Sequence, residues 1–308
     1  MSSTQRTAFI LQIHKNPSQV NKFIHQLVAE DQADVYIHID RRQHSTMKEE
    51  LTRSKNIKVL EQSIICEWGD FSQIDTTILL LREVLDSRQP YEFVCLRSGQ
   101  DLLVKEGFKD FLVENKGKIF MEFFDITWKN KGVVKMNWPK ITRKRYTKAH
   151  PFRIFRRIIK ALYDKGITLF PNTHYWPKEY DFYRGSQWFT IPIEVARYMI
   201  DFLEENKWYY NYFKDTYTPD EWFFHTLLMN SPYKSAIIKN NLLYLRMGER
   251  LNERNSPVYL MEEDIPLIER SGKFFARKFD ETVDSTVVEY FANKVKFSPG
   301  ANANLLAD

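Results

Sequence analysis

Residues 7–39 read TAFILQIHKNPSQVNKFIHQLVAEDQADVYIHI, and the alternation within this stretch sets the architecture. Its opening, TAFILQI (7–13), is a short, nearly continuous apolar run, as expected of a strand covered on both faces. PSQVNKFIHQLVA (17–29) then places Val20, Phe23, Ile24, Leu27 and Val28 at helical spacing, and DVYIHI (34–39) is a second strand. Strand, helix and strand in this order make a βαβ unit and imply a parallel sheet. The pattern continues outward. KVLE (58–61) predicts a strand, and DFSQIDTTILLLREVLDSR (70–88) a helix with Phe71, Ile74, Ile78, Leu81 and Leu85 on one face. YEFVCLR (91–97) and KIFMEFF (118–124) predict two further strands. The second half is less regular, with a basic stretch over 140–160, helices near 193–206 and 219–229, and short strands near 234–246.

Composition narrows the function. A chain of 308 residues, 43% hydrophobic and 15% aromatic, can build one large α/β domain or two small ones. Its formal charge of +5 suits an anionic ligand, but 40 acids interspersed with 45 bases exclude a nucleic-acid coat. Cys66 and Cys95, with neither disulfide nor metal-ligand spacing, point to a reducing compartment. No apolar run approaches the roughly 20 residues needed to span a bilayer, and MSSTQRTAFILQIHK lacks a cleavage pattern. The expectation is a cytoplasmic protein.

In an open parallel sheet, ligands bind beyond the carboxyl ends of the strands. That singles out His14 and Lys15, Asp40 in YIHIDRR, and SGQD (98–101). Walker, dinucleotide and His-Glu-x-x-His motifs are missing, and 10 glycines leave little for a glycine-rich phosphate cradle. An Asp-x-Asp pair would suggest a metal bridging a nucleotide diphosphate. Here His38 and Asp40 stand at the strand end with Arg41 and Arg42 behind them, which argues against a metal cation. Any diphosphate must then be neutralised by side chains, for which Arg254, Arg277 and Lys278 are the candidates.

Two stretches have double readings. In DTYTPDEWFFHTLLMNSP (215–232), Thr218 can cap a helix that starts at Pro219, with Glu221 completing a capping box. Equally, Glu221 can be a catalytic carboxylate; the local pattern alone favours the cap. PFRIFRRIIKALYDKG (151–166) reads as an amphipathic helix with Phe152, Phe155, Ile158, Ile159 and Leu162 on one face. Arg153, Arg156, Arg157 and Lys160 surround the other. Packing on the rest of the domain is its first reading, and peripheral contact with an anionic leaflet its second.

AFILQIHKN, YIHIDRR, SGQDLLV, YRGSQWFTI, TYTPDEWFFHTLLMNSP and FFARKFD occur in the order and spacing of one enzyme family. Over roughly residues 6–290 the chain resembles the core-2/I-branching β-1,6-N-acetylglucosaminyltransferases, a family that also holds peptide O-xylosyltransferases. The resemblance implies an α/β, GT-A-like fold: one domain over 1–296, with a Rossmann-type nucleotide-binding half (about 1–125), an acceptor and catalytic half (about 126–296) and a mixed central sheet. Residues 297–308 are expected to form a flexible tail. It further implies inverting, metal-independent transfer from a UDP-sugar, most simply N-acetylglucosamine, to a glycan or lipid-linked glycan, with no cofactor and no metal site. In surface polysaccharide synthesis such a transferase would work in the cytoplasm or at the inner face of the membrane. Glu221 falls on the family's catalytic base, Lys278 and Arg254 on the basic pair at the diphosphate, with Arg250 as the competing choice, and Asp40 on a residue at the uridine end. Glu122, Arg145 and Trp188 fall near acceptor-facing positions. Transfer of xylose or another hexose, or sugar binding without catalysis, are the alternatives. Leu103 replaces a frequent family proline, and MGER (247–250) replaces an aromatic-containing turn at the acceptor, so the acceptor stays open.

Overall fold

The computed structural model describes residues 6–146, 150–248 and 257–298. The strands are β1 (Arg6–Ile13), β2 (Ala33–Ile39), β3 (Ile57–Val59), β4 (Tyr91–Ser98), β5 (Leu102–Leu103) and β6 (Ile119–Phe124). They continue with β7 (Arg184–Pro192), β8 (Ile237–Lys239), β9 (Leu243–Leu245) and β10 (Phe275–Arg277). Among the described residues, seven of them form a sheet in the order β3-β2-β1-β4-β7-β6-β8, and β5-β10-β9 form a smaller one. β1 lies between β2 and β4, parallel to both, with Phe9 opposite Val35 and Cys95. Ala8 to Leu11 are fully buried, which is why the strand reads as an apolar run rather than an alternation.

β7 has no counterpart among the sequence-derived strands. It runs antiparallel between β4 and β6 and makes the large sheet mixed. Its residues, RGSQWFTIP, begin with a charge, a glycine and two polar side chains, so neither an apolar run nor a period of two marks it.

Phenylalanines join the two sheets. Phe108 meets Phe275 at 5.0 Å between ring centroids, and Phe9 meets Phe297 at 5.4 Å. Each fully buried ring is worth roughly 1.5–3 kcal/mol relative to exposure. Phe297 also donates its backbone N–H to the Gln26 carbonyl at 2.8 Å. The domain therefore reaches Phe297, one residue into the segment expected to be tail, because that ring completes the core. From 299 onward the tail lies outside the described residues.

Helix Pro151–Asp164 corrects another expectation. Ile159 and Tyr163 are buried, whereas Ile158, expected on the packed face, points outward with Ile154. Arg156, expected on the polar face, turns inward. Its guanidinium donates to the Thr142 and Lys144 carbonyls and lies 4.9 Å from the Tyr217 ring centroid.

Candidate active site

Beyond the carboxyl ends of β1 and β10 the backbone holds a group of cations in place. Gln19, on the helix after β1, donates to the carbonyls of Gly99 and Phe279 and accepts from the Glu281 N–H. The N–H of Leu260 donates to the Lys278 carbonyl at 2.9 Å, and the N–H of Phe279 to Gln100. Lys278 thus sits on a backbone anchored from three directions. Its Nζ and that of Lys15 each lie 5.4 Å from the ring centroid of Tyr259. Lys15 is neutralised by Asp280 at 2.5 Å, an acid that also accepts from Asn16. Among the described residues, no carboxylate lies within ion-pair distance of Lys278.

Arg277 adds charge beneath this pair. Its guanidinium stacks on Trp188 at 4.2 Å, its Nε stands 3.5 Å from Asp101, and its Nη1 is buried without a hydrogen-bond partner. Burial, then repulsion by Arg277, Lys15 and Arg145, pushes the Lys278 ammonium down to about 8. Burial and the charges of Lys15 and Lys278 likewise lower the His14 imidazole. These groups crowd one place with more positive charge than nearby acids offset. Such an excess of positive charge suits an anionic ligand.

Asp40 follows β2, and its carboxylate is fully engaged. Oδ1 accepts from the Arg42 N–H and Nε, and Oδ2 from Arg42 Nη2 and the Cys66 N–H, all at 2.8–2.9 Å. Burial opposes its ionisation, but these donors outweigh it and hold the carboxyl below its ordinary range. The acid fixes the loop after β2 to the loop before helix Ser72–Asp86.

Glu221 closes a short 3₁₀ turn, Pro219–Glu221, ahead of helix Phe223–Met229. The capping box does not form. Thr218 is left-handed (φ 47°) and makes no side-chain cap, because its N–H is drawn to the Gly69 carbonyl at 3.0 Å. Instead Glu221 Oε2 accepts from Arg184 Nε at 2.9 Å and Nη2 at 2.6 Å. Among the described residues, Oε1 has no partner. Beside it, Asp220 has a buried, unpartnered Oδ1, and burial followed by the Glu221 charge pushes its carboxyl up to about 7.

Gly185 explains how helix Phe223–Met229 meets the sheet. His225 Nε2 hydrogen-bonds the Glu122 carbonyl at 3.0 Å, at an irregularity in the β6–β7 register. A Cβ on Gly185 would stand 1.8 Å from that oxygen and 2.4 Å from the imidazole, so only glycine fits. Burial keeps His225 neutral, with its pKa near 3.

The other sequence-derived positions fall as follows. Glu122 is half-buried in β6, Trp188 has one face covered by Arg277, and Arg145 is exposed yet close enough to repel Lys278. Arg254 and Arg250 lie outside the described residues. Sequence reasoning missed Arg184 and Tyr259. Arg184 lies within one of the motifs, but nothing local links it to a carboxylate 37 residues on.

Comparison with known proteins identifies the family of the chain. The family model for the Core-2/I-Branching enzyme matches residues 7–257. Xylosyltransferase 1 of Rattus norvegicus is 24% identical over 311 residues, covering 92% of this chain and 34% of the relative. Xylosyltransferase 2 of Canis lupus familiaris is 27% identical over 307 residues, covering 92% and 33%. The chain thus spans about a third of the length of these relatives. With the family match running from β1 past the carboxylate-bearing turn, the chain belongs to the Core-2/I-Branching enzymes, a family of glycosyltransferases.

Proposed function

We propose that the protein is an inverting, metal-independent glycosyltransferase of GT-A-like fold that moves a sugar from a UDP-sugar to a glycan hydroxyl. The observation that carries this reading is the placement of Arg184 and Trp188 four residues apart on β7. A register irregularity against β6 falls between these two positions, and both side chains belong to the one strand that lies between β4 and β6. Arg184 holds the Glu221 carboxylate at one end, and Trp188 stacks on Arg277, beside Lys278, at the other. A base and an anion site held by one strand suit direct displacement at an anomeric carbon.

In the reaction the acceptor oxygen bonds to that carbon as the bond to the UDP oxygen breaks. The acceptor proton passes to Glu221 Oε1, and the electron pair of the broken bond goes to the β-phosphate. Lys278, with Lys15 and Arg277 around it, stabilises that charge as a metal would elsewhere. Asp40 would shape the uridine end through Arg42 and the backbone of Cys66.

N-acetylglucosamine is the first donor reading, and the names of the two xylosyltransferase relatives favour xylose as the second. Incubation with UDP-N-acetylglucosamine, UDP-xylose, UDP-glucose and GDP-mannose, scored by nucleotide release with and without EDTA, tests the reading. Release from one UDP-sugar, undiminished by EDTA, is expected. Failure with every UDP-sugar, or activity that returns only with manganese, overturns it.

A further inference from the structure

We infer that helix Pro151–Asp164 docks the protein on a bilayer surface rich in anionic lipid. The inner side of the helix is already satisfied. Ile159 and Tyr163 are buried, the Trp128 ring stacks on Tyr163 at 4.6 Å, and Arg156 is committed to carbonyls of the preceding segment. Ile154 and Ile158 remain, 48% and 50% exposed and one turn apart on the opposite side, with exposed Ala161 continuing the ridge. Arg153, Arg157 and Lys160 form a row along one flank of that ridge, at i, i+4 and i+7, and Lys165 follows the helix. Among the described residues, none of these four cations pairs with a carboxylate. Asp164, the one acid in the helix, has a buried Oδ1 and so turns partly away.

An apolar ridge alone would suit many partners, and a cationic row alone is an ordinary solvated face. Side by side on one helix they match a headgroup layer, where the isoleucines enter the acyl boundary and the cations meet lipid phosphates. The anionic partner is selected by charge, because the exposed face offers no acid to a basic one. Docking also has a consequence for the site. Arg156 lies on Tyr217, in the segment that leads to Asp220 and Glu221, so the helix would hold the candidate base near the membrane. That step rests on the proposed transferase reading, with a lipid-linked glycan as acceptor; the docking itself does not.

The test is co-sedimentation of the full chain with vesicles of phosphatidylcholine alone or mixed equally with phosphatidylglycerol. Binding to the mixed vesicles only, reversed by high salt, is expected. Ile154→Asp with Ile158→Asp, and separately Arg157→Glu with Lys160→Glu, should each lower partitioning at least about tenfold. Both pairs are exposed, so the melting temperature and UDP binding should hold. Should the aspartates unfold the chain, Ile154→Ser with Ile158→Ser gives the same reading. No binding to the mixed vesicles, equal binding to phosphatidylcholine, or binding that both pairs leave intact overturns the inference. A protein that docks but releases no nucleotide from UDP-sugars would overturn the transferase reading alone.

Discussion

Glu221 gives one carboxylate oxygen to Arg184 and keeps the other open, an arrangement suited to a fixed proton acceptor. Glu221→Gln preserves the shape but cannot accept a proton at neutral pH. Sugar transfer should fall by two to four orders of magnitude, roughly the worth of a general base, with UDP affinity and melting temperature little changed. Normal turnover in that variant would remove Glu221 from the chemistry. Its neighbour makes a second, thermodynamic expectation. The Asp220 carboxyl, ordinarily near 3.8, rises to about 7 through burial and the Glu221 charge. Between those values the folded chain holds a proton that the unfolded chain has released, so stability falls as pH rises through the window. Asp220→Asn has no proton to lose. Its melting temperature should gain on wild type from pH 5 to pH 8, and a constant or shrinking difference would contradict the placement. The catalytic candidate was legible in the letters as a T-x-x-E pattern with two meanings. Arg184 was not, because a contact between a strand and a distant turn leaves no local spacing to read.

At the scale of elements, β6 and β7 carry the site, and their junction with helix Phe223–Met229 depends on Gly185. Gly185→Ala forces either the Glu122 carbonyl or His225 out of place. Overpacking of this severity should cost about 3 kcal/mol or more, read as a lower urea midpoint. An unchanged midpoint would show that the junction yields without cost. The βαβ half was readable because fully buried parallel strands spell apolar runs and their helices keep a 3.6-residue period. β7 was hidden because Arg184, Gly185 and Trp188 occupy it for contacts with Glu221, Glu122 and Arg277, which leave no regular strand pattern.

At the scale of the whole molecule, Lys278 lies at the centre of one cluster of positive charge among the described residues. Burial and three surrounding cations hold the Lys278 ammonium near 8, so above that pH the free protein loses the charge and must regain a proton to grip a diphosphate. UDP affinity should therefore fall by up to about tenfold per pH unit above 8, while uridine affinity stays flat. In Lys278→Ala the slope should vanish and UDP binding weaken at every pH; calorimetry with both ligands reads this directly. An equal slope for uridine would place the titration elsewhere. The family was legible from six motifs spread along the chain, since each marks a strand end or turn that this fold brings to the sheet's carboxyl edge. The partner of Lys278 was less so, because Arg250 competed with the preferred Arg254, and Tyr259, between Lys15 and Lys278, is only an aromatic residue in the letters.

One consequence follows from cations that are welded to the backbone. A transferase that borrows a metal can let the spent nucleotide depart together with its ion. On the proposed transferase reading Lys278 and Arg277, anchored through Leu260, Gln100 and Trp188, would stay behind, and the departing UDP would leave their attraction unaided. The feature that would ease bond breaking would thus slow the last step of each cycle. Moderate salt, by screening that attraction, should quicken turnover before it begins to weaken capture of the donor.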